Sequence, residues 1–186
     1  MRQYTRLLFV LLFLAVLLAI FELSGLRSHF SLAYLRQILT DNPLNGLLVF
    51  ILVFALGNLV QIPGWIFLAA AVLALGRTWG GLATYVAAVL SCSVTFFSIR
   101  LVGGSALRNL NSQFATRLLS QLDAHPIRNI VLLRMLFQTV PVLNYALAMS
   151  GVRFRDYLIG TLLGLPLPIA IYCLFFDYLA MQLHLH

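Results

Sequence analysis

The stretch from residue 44 to residue 75, LNGLLVFILVFALGNLVQIPGWIFLAAAVLAL, decides how this chain is interpreted. It is apolar nearly throughout but is broken at Pro63-Gly64. Leu44–Gln61 is almost long enough to cross a bilayer, whereas Trp65–Leu75 covers only about 16 Å of a hydrocarbon core about 30 Å thick. Two crossings therefore do not fit. The stretch predicts a re-entrant helical hairpin, which enters the membrane, turns at Pro63-Gly64 and returns to the same side.

A second interrupted apolar stretch lies further along the chain. It consists of Ile127–Val140, then Pro141, then Val142–Ser150, and Gly151 closes it. Neither arm reaches the length of about 20 residues that a transmembrane helix needs. We therefore predict a second re-entrant hairpin with its tip at Pro141.

Each predicted hairpin is followed by an apolar run that is long enough to span. These runs are Leu82–Val102 and Tyr157–Leu183. The second is expected to be bent and to pack closely, because small residues and prolines interrupt it, namely Gly160, Gly164, Pro166 and Pro168.

The two halves of the chain show the same order of elements. In each half an amphipathic interfacial helix, at 31–41 or 105–124, precedes the hairpin and the span. Paired hydrophobic segments that are interrupted at matching places indicate an inverted repeat. The sequence thus predicts an all-α integral membrane protein with an N-terminal anchor helix and loop over 1–30. One membrane domain follows over 31–183, with halves 31–104 and 105–183.

The composition indicates that lipid surrounds this chain. Hydrophobic residues make up 62% of the sequence and charged residues 9%, and the mean hydropathy is +0.99. Soluble domains carry about 25% charged residues, and disordered chains combine low hydrophobicity with high charge. The composition therefore excludes a soluble domain and a disordered tail. We expect Cys92 and Cys173, both within apolar runs, to be small buried residues and not a disulfide or a metal pair.

The basic residues indicate the topology. All twelve are arginines, against five acidic residues, and they form no cluster of the kind that binds nucleic acid. We predict that the N-terminus lies in the cytoplasm and that the first apolar run, Leu7–Phe21, is an uncleaved anchor. Eight arginines near the helix ends then lie inside and three outside, which satisfies the positive-inside rule. The inside set is Arg2, Arg6, Arg100, Arg108, Arg117, Arg128, Arg153 and Arg155, and the outside set is Arg27, Arg36 and Arg77.

An ordered set of motifs runs through residues 44–170. It comprises Ile62-Pro63-Gly64, Gly76, Gly80, Phe96-x-x-x-Arg100, Arg134, Pro141, Asn144-Tyr145, Gly151, Phe154-Arg155-Asp156-Tyr157 and the run from Gly160 to Pro166. This set resembles the DedA superfamily, also called the SNARE-associated Golgi protein or VTT-domain family. The resemblance implies two opposed re-entrant hairpins and an activity that moves lipids between leaflets, either as a phospholipid scramblase or as a translocase of a polyprenyl-phosphate carrier.

The sequence departs from the family pattern at the first hairpin. Some bacterial members carry acidic residues there, including one directly after Pro-Gly, and are associated with dependence on the proton-motive force. Here Trp65 holds that position, and no acidic residue occurs between Asp41 and Asp123. Because a proton relay needs a titratable group within the membrane, we expect passive movement of lipid.

Candidate functional residues are the polar groups near the hairpin tips. Arg134 is the only basic residue inside an apolar run, and it needs a partner: Asp156, Asp177, a carbonyl, water or a lipid phosphate. The predicted headgroup path consists of Arg134, Arg100, Asn144, Tyr145 and Asp156. For each, a structural role is the alternative: anchoring for the arginines, capping for Asn144 and Tyr145, and the start of the last helix for Asp156. The hairpin tips are Pro63, Gly64 and Pro141, and the bend and packing positions are Gly151, Gly160, Gly164 and Pro166.

The predicted function is movement of phospholipid or of a lipid-phosphate carrier between leaflets of a bacterial inner membrane. The alternatives are a proton- or ion-coupled transporter that uses Asp156 or Asp177, and a noncatalytic membrane-organising protein. We find no catalytic motif, metal-ligand spacing or cofactor signature, so no enzyme activity and no cofactor are expected. The expected partners are membrane lipids and further copies of the chain, not nucleic acid.

Overall fold

The structure is a computed structural model that describes residues 2–23, 37, 43–104, 107, 113–137, 140 and 142–182. Pro141, most of the interfacial helix expected at 31–41, and all but Leu107 of residues 105–112 lie outside the described residues. In the described part the chain is all-helical, as predicted. The helices are α1 (Arg2–Leu23), α2 (Pro43–Leu59), α3 (Gly64–Gly103), α4 (Gln113–Ala124), α5 (Pro126–Phe137), α6 (Val142–Met149), α7 (Phe154–Gly164) and α8 (Pro166–Gln182).

The outer surface of these helices is apolar. Within the described residues, Gly64–Gly103 and Phe154–Gln182 are long and apolar enough to cross a membrane. Large hydrophobic side chains point outwards along both stretches, for example Leu101, which is 87% exposed, and Leu163, which is 60% exposed. A soluble monomer does not expose apolar surface of this extent. The surface is that of a membrane protein.

The break at Pro63-Gly64 separates two helices that pack against each other. Helix α2 ends at Leu59, Gln61 has a positive φ of 66°, and Gly64 is the first residue of α3. Proline fits the residue just before a helix because its fixed φ is already suitable and its missing N–H is not needed there. The contact is aromatic, with the rings of Phe54 and Phe67 at 4.4 Å between centroids.

The first spanning segment differs from the prediction that it starts at Leu82. Residues 64–75 and 77–103 are helical, and the chain changes direction between them at one residue, Gly76, with φ 76° and ψ 173°. This conformation is accessible essentially to glycine alone. One glycine therefore absorbs the change in direction for which the sequence predicted a longer connection.

The second half has a corresponding arrangement. Helices α5 and α6 are followed by Gly151, whose φ is 83°, and then by α7 and α8. Helix α7 ends at Gly164 and α8 begins at Pro166, with Leu165 between them in a helical conformation, so the interruption lies where the bend is predicted.

Two glycines of α7 allow this helix to lie directly against α5. A Cβ atom on Gly160 would lie 2.6 Å from Ile130 Cγ2, and one on Gly164 would lie 2.7 Å from Arg134 Cβ. Such distances leave no room for a larger residue. The predicted packing role of Gly160 and Gly164 is thus observed, and it brings α7 against the one buried arginine.

The buried side chains form two apolar clusters. One joins α2 and the start of α3 to α8, through Phe50, Phe67 and Ile169 among others. The other joins the end of α3 to α5, α6 and α7, and includes Phe96, Ile130 and Tyr157. Helix α3 contributes to both clusters. Both cysteines are free and buried, as expected.

Replacing Gly76 with alanine tests the kink. No atom lies within 4 Å of the Cβ that would be added, so only the backbone conformation opposes the change. We expect Gly76→Ala to lower the free energy of unfolding by about 1–3 kcal/mol, measured by thermal unfolding in detergent. The matched control is Gly64→Ala, whose Cβ would make an ordinary contact of 3.7 Å with Phe54. Equal melting temperatures for the two variants would contradict the prediction.

Candidate functional site

Arg134 is the only charged residue that is buried among those whose side chains the structure describes. It lies on α5 and is 2% exposed. Its Nη2 donates hydrogen bonds to Tyr157 Oη at 2.8 Å and to Thr161 Oγ1 at 3.2 Å. The guanidinium carbon also lies 5.3 Å from the centroid of the Tyr157 ring. The buried charge is therefore held by neutral hydroxyls and a ring face.

The sequence left the partner of Arg134 open among Asp156, Asp177, a carbonyl, water and a lipid phosphate. The partners of Arg134 are the hydroxyls of Tyr157 and Thr161, which are one helical turn apart on α7. Asp177 instead forms an ion pair with Arg77 at 3.6 Å. Asp156 lies in the first turn of α7, as predicted, where an acidic residue interacts favourably with the helix N-terminus. Among the residues that the structure describes, no carboxylate pairs with Arg134.

Tyr157 connects Arg134 to the rest of the polar cluster. Its hydroxyl lies 3.2 Å from Asn144 Oδ1 and 3.1 Å from the Cys92 carbonyl oxygen. A phenol has one proton to donate, so it can serve only one of these acceptors at a time while it accepts from Arg134. The Cys92 thiol lies 3.4 Å from Asn144 Oδ1 and can donate to it.

Asn144 carries the hydrogen bonds across to the first half of the chain. Its Nδ2 donates to Asn58 Oδ1 at 2.9 Å, and Asn58 Nδ2 donates to Thr95 Oγ1 at 3.2 Å. Asn58 lies just before the turn at Pro63, and Asn144 lies at the start of α6. A continuous polar chain therefore runs from α5 through α7 and α6 to α2 and α3. We call the side chains of Arg134, Tyr157, Thr161, Asn144, Asn58, Thr95 and Cys92 the polar cluster.

A small cavity borders the polar cluster. Its volume is about 40 Å³. Its lining includes Gly64 and Trp65 from the first turn of α3, and Arg134 and Asn144 from the second half of the chain. The Nε of Arg134 and the hydroxyl of Thr84, which also lines the cavity, are buried without a hydrogen-bond partner among the described residues. Since one water needs about 10–15 Å³, the cavity has room for about three waters that could satisfy these groups.

Trp65 follows Pro63-Gly64 directly, at the position where the family resemblance implies an acidic residue in some bacterial members. Its ring stacks on Phe176, with centroids 6.5 Å apart, and it is 41% exposed. Together with Tyr172 it forms an aromatic part of the cavity wall. At this position the start of α3 therefore places an apolar ring against α8.

Arg100 and Tyr145, predicted for the same path, lie beside the polar cluster. Arg100 Nη2 donates to the Val152 carbonyl at 2.7 Å, and its guanidinium lies over the Phe96 ring at 4.7 Å. Tyr145 donates its hydroxyl proton to the Leu59 carbonyl. These contacts join the second half to α3 and to the end of α2. These contacts of Arg100 and Tyr145 hold helices together, and a role of either residue in a headgroup path stays a prediction.

Several members of the polar cluster were not predicted as site residues: Tyr157, Thr161, Asn58, Thr95 and Cys92. Asn58 could have been found, because it is the one amide within the apolar run Leu47–Val60. Tyr157 and Thr161 are four residues apart and hence share a helix face. The sequence contains no signal that places Cys92 and Thr95 opposite Asn144 and Asn58.

Comparison with known families gives one match. The model of the VTT domain matches residues 62–178, which is more than half of the 186-residue chain. The match begins just before Pro63, includes α3 and the helices that follow it as far as residue 178 of α8, and contains all members of the polar cluster except Asn58. Neither the curated proteins nor the solved structures contain a match to the chain.

Substituting Tyr157 tests whether the polar cluster stabilises the fold. Tyr157→Phe removes the acceptor of the shortest Arg134 hydrogen bond and leaves Asn144 with one donor fewer. We expect a loss of about 1–3 kcal/mol in the free energy of unfolding, because a buried charged donor then lacks a partner. Thermal unfolding measures the loss. The control is Tyr178→Phe, an exposed tyrosine on α8; if it destabilises as much as Tyr157→Phe, the polar cluster does not act in this way.

Proposed function

This chain belongs to the VTT-domain family, and we propose that it lets phosphate-bearing lipids pass between the two leaflets of its membrane. The lipids are phospholipids or a polyprenyl-phosphate carrier. The headgroup moves past Arg134 between the two halves of the chain while the hydrocarbon tails stay in the bilayer. Movement is passive and follows the lipid gradient.

The observation that carries the proposal is the buried charge of Arg134, with which no carboxylate among the described residues pairs. An arginine in the middle of a membrane costs about 2.5–3.5 kcal/mol on insertion scales. Two hydroxyls satisfy part of its hydrogen-bonding capacity, and its Nε borders the cavity without a partner among the described residues. A lipid phosphate supplies both the missing charge and the missing acceptors, and arginine binds phosphate strongly.

The observed conformation corresponds to a closed state in this proposal. A cavity of about 40 Å³ accommodates a few waters but not a phosphate with its attached glycerol. The halves must therefore separate for a headgroup to pass. The polar contacts between them include the bonds of Asn144 to Asn58 and of Tyr145 to Leu59. Hydrogen bonds between membrane helices contribute about 0.6 kcal/mol each on average, and the separation also parts the side chains of both apolar clusters.

The helix lengths support re-entrant hairpins on opposite sides of the membrane. The first part of α3, residues 64–75, is about 18 Å long, whereas residues 77–103 measure about 40 Å. Helix α5 is also about 18 Å long and α6 about 12 Å, so neither crosses a core of about 30 Å. The ion pair between Arg77 and Asp177 places the start of the long segment of α3 beside the end of α8. We place this end outside, with the N-terminus in the cytoplasm of a bacterial cell.

Reconstitution tests the proposal directly. Purified protein is inserted into liposomes that contain a fluorescent phospholipid, and dithionite reduces the label exposed outside. Protein-free liposomes lose about half of the signal, and wild-type protein should expose the remainder. We expect Arg134→Gln to lower the rate at least tenfold, because the headgroup loses its charged partner. Arg128→Gln, which removes an exposed arginine from the same helix, should retain the wild-type rate.

Two results would count against the proposal. One is a rate no higher than in protein-free vesicles for folded wild-type protein with both lipid classes. The other is full activity of Arg134→Gln. Because Arg134→Gln can also destabilise the fold, Arg134→Lys is measured as well: it keeps the charge but loses the two-pronged geometry, so its rate should lie between those of Arg134→Gln and wild type.

Passive movement has its own test. The side chains of the polar cluster include no carboxylate, and no acidic residue occurs between Asp41 and Asp123. We therefore expect the same rate with and without a pH gradient across the liposome membrane, and an unchanged rate for Asp156→Asn. Loss of transport on collapse of the gradient would instead favour proton coupling.

A further inference from the structure

A second concave feature lies on the side of the molecule, between α3 and α8. It is an open groove of about 580 Å³, many times the volume of the cavity at Arg134. We call it the lateral groove. It is lined by Arg77, Thr78, Gly81, Leu82, Tyr85, Pro166, Ile169, Ala170, Cys173 and Leu174. Arg134 is not part of this lining, so the two features are separate sites.

The walls of the lateral groove are apolar along most of its length. The groove is deep at Gly81 because glycine has no side chain there. An added Cβ would lie 3.0 Å from the Cys173 sulfur. The hydroxyl of Tyr85 does not offer its proton to the groove, because it donates to the Leu162 carbonyl at 3.0 Å. From Thr78 to Tyr85 the groove follows α3 for about 10 Å. This is the shape and chemistry of a site for a hydrocarbon chain.

One end of the lateral groove carries a cation. Arg77 lies there, and its side chain is 54% exposed. Its contact with Asp177 is 3.6 Å, longer than the 2.7–2.9 Å of a strong charge-assisted hydrogen bond. A guanidinium has five N–H donors, so this single long contact leaves donors for an anion. Asp177 is only 14% exposed and lies behind Arg77, where it orients the guanidinium.

We propose that the lateral groove binds one membrane lipid with an anionic headgroup, its phosphate at Arg77 and one acyl chain between α3 and α8. The charge of Arg77 complements the phosphate, and the apolar walls continue from it in the direction in which a tail extends. The rims are formed by lipid-facing side chains, including Leu82 at 52% and Leu174 at 55% exposure, so a lipid enters sideways without leaving the bilayer. This binding does not depend on whether lipids cross the membrane at Arg134.

Filling the lateral groove tests the proposal. Ala170 is exposed within it, and Ala170→Phe adds a ring there without meeting the buried core. Ile171→Phe adds a ring to the next residue, which is exposed but does not line the groove. Native mass spectrometry counts the phosphatidylglycerol molecules that remain on each purified variant. We expect Ala170→Phe to reduce the occupancy of the tightest lipid at least tenfold and Ile171→Phe to leave it unchanged.

The headgroup is tested separately at Arg77. Wild-type protein should retain phosphatidylglycerol in preference to phosphatidylcholine, and Arg77→Gln should abolish this preference while a lipid of either kind still binds. Inorganic phosphate at millimolar concentration should not displace the lipid, because most of the contact is with the chain. Displacement by phosphate would indicate a simple anion site and would overturn the proposal.

A measurement on the unaltered protein avoids the risk that a variant misfolds. A phosphatidylglycerol with a photoreactive diazirine in one acyl chain is cross-linked in nanodiscs, and labelled peptides are identified. We expect labelling in residues 78–85 and 166–174 above that of other lipid-facing segments such as α1. Uniform labelling would overturn the proposal, as would a dimer contact at the lateral groove that excludes the lipid. Transport is not measured in these experiments, so their outcome is independent of the role of Arg134.

Discussion

The burial of one guanidinium group organises the centre of this protein. Arg134 cannot be left in apolar surroundings without partners, because an unsatisfied charged donor costs more than the hydrogen bonds of neutral groups contribute. Its contacts to Tyr157 and Thr161 require α7 to lie directly against α5, and a glycine at position 164 makes that approach sterically feasible. Tyr157 then orients Asn144, which reaches Asn58 in the other half. The hydrogen bonds that satisfy the charge of Arg134 therefore belong to the same network as those that join the two halves.

In the proposed mechanism the two halves have to separate before a headgroup can pass. Both apolar clusters join the halves, since α3 packs against α8 in one and against α5, α6 and α7 in the other, so separation parts these side chains as well as the polar cluster. What is lost on separation includes side-chain hydrogen bonds that are individually weak within a membrane. Water in the adjacent cavity, and then a lipid phosphate, can replace them as partners. A buried polar contact, unlike an apolar one, can thus be exchanged for contacts with a ligand at little net cost.

The two concave features divide the chemistry of a lipid between them. The cavity beside Arg134 is small, lies between the halves and has both polar and apolar residues in its lining, whereas the lateral groove is large, mostly apolar and lies at the side of the molecule. Each has one arginine on its lining. Arg134 is held by hydroxyls in the interior, and Arg77 is held by a carboxylate at the surface. Arg77 is exposed and lies 3.6 Å from Asp177, which fits the proposed binding of a lipid in the lateral groove, whereas Arg134 is the residue proposed to contact a headgroup during its passage.

The apolar character, the helical class and the break at Pro63-Gly64 follow from the sequence alone, because each depends on composition or on proline and glycine chemistry. The sequence also contains the family motifs, and it singles out Arg134 because a charge in lipid is costly. It left the partner of Arg134 open, and the packing of α7 against α5 brings two hydroxyls to the guanidinium. The tertiary structure also reduced the change of direction in α3 to Gly76 and joined Asn58 to Asn144. These contacts link residues that are far apart in sequence, and no local pattern records which helix faces meet.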